Sequence, residues 1–134
     1  MWTAELKTGR LVTICISAPF GPEDVPPFLQ GIGKILLEGP ARVVTCMDLR
    51  ASSILAPEAA EQLIGLMRKD NPRIERTALV LSDNALVGLQ VARMIREAGN
   101  PNRRTFHEAA QAVTWLEEVL TVSEAMALRK FLHV

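Results

Sequence analysis

The sequence predicts an α/β fold. It is a mostly parallel, mixed sheet of four to five strands with right-handed β-α crossovers and an extra C-terminal helix. Three short, apolar, β-branched runs, at 11–17, 42–49 and 76–82, read as buried strands. The stretches between and after them carry apolar residues at helical spacing. Strands and helices therefore alternate over nearly the whole chain, the mark of βαβ units, whose crossovers are right-handed almost without exception. Residues 1–134 are expected to form one domain, with 121–134 an added C-terminal helix.

The elements follow in order. Trp2 to Leu6 can form a short strand, and Thr8-Gly9-Arg10 a turn into the first buried strand. Pro19-Phe20-Gly21-Pro22 breaks that strand. Asp24 then stands where an N-cap belongs, with Pro26 and Pro27 in the first turn. The helix that follows presents Leu29, Ile32 and Leu36, although Gly31 and Gly33 each weaken it by up to ~1 kcal/mol relative to alanine. Gly39-Pro40 is its stop. After the second buried strand, Pro57 and Glu58 open a helix lined by Ala60, Leu63, Ile64 and Met67. After the third, Ser82 or Asp83 is placed to cap a helix whose inner face is Val87, Val91, Met94, Ile95 and Ala98. Gly99-Asn100-Pro101 ends it. Residues 103–106 fit a short edge strand. Thr105 and Glu108, and again Thr121 and Glu124, have capping-box spacing. The first box would open a helix with Ala109, Val113, Leu116 and Leu120 inward, the second a helix with Ala125, Leu128 and Leu132 inward. The run Arg68-Lys69-Asp70-Asn71-Pro72-Arg73 reads as a solvated face at a helix end, where cations suit the dipole.

Composition narrows the function classes. The 134 residues hold 15 basic and 15 acidic side chains and are 49% hydrophobic. That is too apolar for disorder. It also lacks the basic excess of a nucleic-acid binder, although a local patch would escape this count. No apolar run approaches the ~20 residues that span a bilayer, and the first residues have no signal-peptide pattern. Cytoplasmic location with reduced thiols is expected. Cys15 and Cys46 each sit in an apolar run and read as buried, inert thiols.

Sites in open α/β sheets form beyond the carboxyl ends of the parallel strands. Phe20, Asp48, Arg50, Ser52, Ser53, Asp83 and Asn84 fall there, with His107 near the short edge strand. Asp48 has no acidic partner at the preceding strand end, so it lacks the carboxylate set of Mg²⁺-assisted phosphoryl transfer. Its simpler role is to tie down the following loop through backbone N–H groups or Arg50. No G-x-S-x-G elbow surrounds Ser52 and Ser53. Gly31-Ile32-Gly33-Lys34 lacks the spacing of a phosphate loop. His107 and His133 belong to no Ser/His/Asp or Cys/His set, and no Cys/His spacing points to zinc. No catalytic residue, metal or cofactor is therefore assigned. Trp115 and Phe131 lie at the borders of the apolar arcs of the last two helices, which are expected to pack together. Their alternative is an exposed surface for a partner or an apolar ligand.

From about residue 8 to 120 the chain resembles the SpoIIAA-like fold of STAS domains and of small stand-alone bacterial SpoIIAA-like (STAS-like) proteins. The resemblance rests on Met47-Asp48-Leu49-Arg50, the helix starting at Pro57, the strand ending at Ser82, and Phe106-His107-Glu108-Ala109-Ala110 with Trp115-Leu116. It implies a non-enzymatic protein-interaction module of bacterial signalling, with Asp48, Arg50, Ser52, Ser53, Pro57 and Glu58 at the partner-binding place. In anti-sigma factor antagonists an Asp-Ser-(Ser/Thr)-Gly string opens the helix after the Asp-Leu strand, and its serine is phosphorylated. Here that place holds Ala56-Pro57-Glu58-Ala59, so a serine phosphoswitch is not expected. The stand-alone proteins imply a homodimer and the binding of small apolar ligands or membranes. The partner is thus another protein or a small apolar molecule.

Overall fold

The computed structural model describes residues 1–134. The elements are β1 (Trp2–Thr8), β2 (Leu11–Ile16), α1 (Val25–Glu38), β3 (Val43–Leu49), α2 (Pro57–Asp70), β4 (Ile74–Leu81), α3 (Ala85–Ala98), β5 (Arg103–Phe106), α4 (Ala109–Glu117) and α5 (Val122–Leu132). The sheet order is β1-β2-β3-β4-β5. β1 runs antiparallel to β2, and the other pairings are parallel. The predicted mixed, mostly parallel sheet and the C-terminal helix are both present.

Helices α1, α2 and α3 cover one face, packing Phe28, Ile32, Leu63, Ile64, Val87 and Val91 on the sheet. Strands are added in one direction and their connecting helices share a face, so the three crossovers have a single hand. On the other face α4 and α5 bring Val113, Leu116, Leu128 and Leu132 against Leu11, Val44, Cys46, Ala78 and Val80. Both faces are therefore buried, which is why the central strands read as continuous apolar runs. Within them the pleat sorts neighbours: Leu79 and Leu81 join the first cluster, Ala78 and Val80 the second. Gly31 lets the Trp2 ring lie against α1, because a Cβ there would stand 2.8 Å from that ring. Trp2 and Phe20 then each meet Phe28 edge to face, with centroids 5.4 and 5.8 Å away.

Helix ends depart from the sequence expectation in four places. Asp24 precedes α1 but does not cap it. Its carboxylate turns back to accept from the Gly21 N–H at 2.8 Å. The cap's usual targets are the second and third N–H groups of the helix. Pro26 and Pro27 occupy those positions and have none. Neither Ser82 nor Asp83 caps α3. Asn84 does, accepting from Leu86 and Val87 at 3.0 and 3.2 Å. The Thr105/Glu108 box does not form, because Thr105 belongs to β5 and α4 starts only at Ala109. The Thr121/Glu124 box does form, with both reciprocal bonds in place.

The fourth departure concerns the basic run near Arg68 and Arg73. These side chains are not simply solvated. Arg73 donates to Leu36 O in the last turn of α1 and to Pro40 O and Ala41 O just beyond it, each at 2.6 Å. Arg68 donates to Glu97 O of α3 at 2.9 Å, and Arg103 to Met67 O of α2 at 3.1 Å. Arg76 reaches Trp115 O of α4 at 2.7 Å, and Arg50 reaches Leu132 O of α5 at 3.4 Å. Each of the five helices thus has an arginine from elsewhere in the chain on its orphan carbonyls, which satisfies acceptors and complements the dipole.

Candidate functional site

Two groups of residues lie at the carboxyl ends of the strands, on opposite faces of the sheet. On the α5 side, Asp48 and Arg50 form a two-pronged ion pair, Nε to Oδ1 and Nη2 to Oδ2, both at 3.0 Å. The Arg50 backbone N–H adds a bond to Oδ1 at 3.1 Å. Burial pushes the Asp48 carboxyl up, but the bonds from Arg50 outweigh it and hold the pKa below the ordinary range. With Arg50 also on Leu132 O, the pair fastens the β3 end to the last turn of α5. Cys15, half-buried, sits opposite Asp48 in the β2–β3 register. Burial pushes its thiol up, and pushes that of the fully buried Cys46 up to about 12. Both are free thiols, and neither has the electropositive setting that makes a nucleophile.

On the other face, between the sheet and α1–α3, lies a cavity of about 110 Å³. Nineteen of its 26 lining residues are hydrophobic, among them Ile14, Phe28, Leu63, Met67 and Leu79. Ser52, Ser53 and Gln90 line it near the carboxyl ends of the strands, and Asp70 and Arg103 near the amino ends. Ser52 is held by its hydroxyl donating to Leu49 O at 2.8 Å. The Gln90 amide both donates to and accepts from the Leu55 backbone at 2.9 Å, which pins the loop before α2 onto α3. A shallow groove of about 470 Å³ runs between α1 and α2, past Leu29, Gly33, Leu37 and Gly65. It shares Leu36, Leu66 and Asp70 with the cavity as a common wall.

The remaining sequence candidates are scattered. Pro57 and Glu58 form the first turn of α2, with Glu58 exposed. Phe20 packs on Phe28 and belongs to the rim of the core. Asp83 is exposed, and Asn84 serves as the α3 cap. Trp115 and Phe131 are half-buried in the α4–α5 cluster. Trp115 is further covered by the Arg76 and Arg104 guanidinium groups, each 4.8 Å from its ring centroid. His107 is exposed, 3.2 Å from Ser82 O. Among these residues only Ser52 and Ser53 meet the cavity. The sequence reading missed Asp70 and Arg103 as cavity residues. The available signal was an arginine at a strand position that pairs with inward-facing Thr77. No three or more His, Cys, Asp or Glu side chains are grouped to hold a metal ion. No helix is long and apolar enough to cross a membrane.

Among solved structures the chain matches the crystal structure of an uncharacterised protein of the DUF3478 family from Shewanella loihica PV-4, described as having a SpoIIAA-like fold. The TM-score is 0.66 over 86% of this chain and 93% of that one. The fold is SpoIIAA-like. Sequence identity over the match is 16%, so the likeness carries the fold alone. No protein-family model matches the sequence, and none of the curated proteins does. Within the SpoIIAA-like fold the parallel core runs from β2 to β5, while β1 extends the sheet at one edge.

Proposed function

We propose that this chain is a non-catalytic, cytoplasmic SpoIIAA-like binding module that holds a small apolar molecule between its sheet and α1–α3. The cavity carries the reading. An aliphatic cavity of about 150 Å³ takes up benzene, and 110 Å³ is of the same order. Leaving such a space empty costs about 2–3 kcal/mol at roughly 24 cal/mol per Å³, a loss that a bound apolar molecule offsets. The non-catalytic part rests on the inert thiols and on Asp48 being engaged by Arg50. The free thiols fit a reducing compartment. Isothermal titration with hexan-1-ol tests the reading. Saturable binding by the wild type, lost in Leu79→Phe with a raised Tm, supports it. A wild type that binds neither hexan-1-ol nor hexanoate overturns it.

A second reading, a protein-interaction module in signalling, is favoured by one observation. Leu86 and Leu89 on the first turns of α3 are 61% and 69% exposed, next to Asp83 and the Asn84 cap. One helical turn apart, they lie side by side, and it is adjoining rather than single exposed apolar side chains that a partner covers. Affinity capture of a partner that is abolished in Leu86→Glu/Leu89→Glu supports this reading. Capture indifferent to the double substitution removes it.

A further inference from the structure

The amino-end floor of the cavity holds a buried arginine with no carboxylate in ion-pair contact. Arg103 is 8% exposed and lines the cavity. It is fixed by two hydrogen bonds, to Asn71 Oδ1 at 2.5 Å and to Met67 O at 3.1 Å. Both acceptors are neutral, and they use two of the five guanidinium N–H donors. Arg103 forms no ion pair with any carboxylate of the chain. Asn71 cannot swing away to compensate, because its amide also donates to Ala98 O at 2.8 Å. Buried charges are ordinarily paired, since desolvation costs several kcal/mol per ion and only a close counter-ion offsets it. The other charged group on the wall is Asp70, half-buried, which attracts Arg103 but makes no direct ion pair with it. Burial pushes the Asp70 carboxyl up and the Arg103 guanidinium down, outweighing the attraction between the two charges, so both directions report the dryness of this end.

We propose that the cavity selects for acids: its ligand is a small apolar chain bearing a carboxylate, which pairs with the buried Arg103 while the chain lies along Leu79 and Leu63. The planar fork of arginine matches a carboxylate through two parallel N–H···O bonds. Arg103 stays docked through Asn71 and Met67 while its remaining N–H groups donate to the carboxylate oxygens of the acid. Asp70 works against an anion at this end, so it limits affinity rather than supplying it. The inference rests on the cavity being an apolar-ligand site and adds the head-group chemistry.

The experiment compares hexanoate with hexan-1-ol, matched in chain length, by isothermal titration at neutral pH against the whole protein. The wild type is expected to bind the acid about tenfold or more tightly than the alcohol, as charge-assisted bonds in a dry site should give. Arg103→Met should bring that ratio to about one while the alcohol still binds. Asp70→Asn, which leaves the Arg103 clamp intact, should raise acid affinity several-fold with the alcohol unchanged, and it serves where Arg103→Met does not fold. Equal binding of acid and alcohol by the wild type overturns this proposal and leaves the apolar-ligand reading standing. Failure of both probes overturns the two together.

Discussion

The carboxylate of Glu124 accepts the backbone N–H of Arg10 at 2.6 Å, so the first turn of α5 is tied to the β1–β2 turn across 114 positions of sequence. Glu124 is 3% exposed. Its other oxygen accepts from the Thr121 N–H at 2.8 Å, completing the capping box. One side chain therefore caps a helix and docks it on the sheet. Glu124→Gln should cost about 2–3 kcal/mol, because the charge is lost and the amide nitrogen cannot accept, so either the Arg10 or the Thr121 N–H loses its partner. Burial pushes the Glu124 carboxyl up, but the bonds from Thr121 and Arg10 outweigh it and hold the pKa below the usual glutamate range. Its contribution is then fully present above the unfolded value of about 4.3 and is lost as pH falls through the lower folded value. In urea melts, the gap between wild type and Glu124→Gln should be constant near neutrality and close in that acidic window. A gap that persists unchanged to the lowest pH at which the protein folds would show that packing, not charge, is lost.

Gly9 faces the same carboxylate. Its φ is +54°, and a Cβ there would stand 2.4 Å from Glu124 Oε2. Gly9→Ala should therefore lose about 1–2 kcal/mol to left-handed strain and more by displacing Glu124. In a Glu124→Ala background only the strain remains, so the two substitutions should be non-additive by about 1 kcal/mol or more in a double-mutant cycle. Additive losses would mean that the two residues do not meet in solution.

Arg73 donates to three carbonyls at once, Leu36 O in the last turn of α1 and Pro40 O and Ala41 O in the segment just after it. Gly39 ends that helix with extended backbone (φ −88°), so no left-handed cap takes up those acceptors. Arg73→Ala should destabilise by about 1–3 kcal/mol. Arg73→Lys should recover only part of this, since an ammonium lacks the fork that reaches three oxygens. Chemical denaturation with unchanged m-values checks both. Full recovery by lysine would reduce the role to charge alone.

The arginine caps also explain what the sequence could and could not show. Three buried strands and the helices behind them were legible, because period and β-branching are local and both faces of this sheet are covered. Strand β4 nonetheless starts two residues earlier than expected, at Ile74, because Ile74 pairs with Val43. Caps were legible where they were local, as at Thr121/Glu124. They failed where a proline removed the N–H or where the donor came from another element, as at Asp24 and Arg73. Arginines that read as a solvated basic patch are instead engaged by backbone carbonyls at helix ends. The candidate site was least legible. Ser52 and Ser53 were visible from their place after a strand end. The cavity depends on how the side chains of β2–β5 and α1–α3 fail to fill a space, and no single segment encodes that.

The two cysteines give a test of the α4–α5 face. Cys46 lies fully buried beneath that face, with its thiol pushed up to about 12 by burial. Cys15 is half-buried on β2, its thiol also raised by burial. Thiolate is the reactive form, so at pH 7 native protein should label slowly with a disulfide reagent. Cys15 should react first, and Cys46 only at the rate at which the structure opens. In denaturant both should react at once. Because Asp48 also raises the Cys15 thiol, Asp48→Asn should speed its labelling relative to wild type, provided that native exposure is unchanged. But Arg50 lowers it in turn, and removing Asp48 frees that guanidinium, which adds to the acceleration. Peptide mapping of the labelled protein assigns the order. Cys46 reacting ahead of Cys15 would show that α4 and α5 do not stay docked on the sheet.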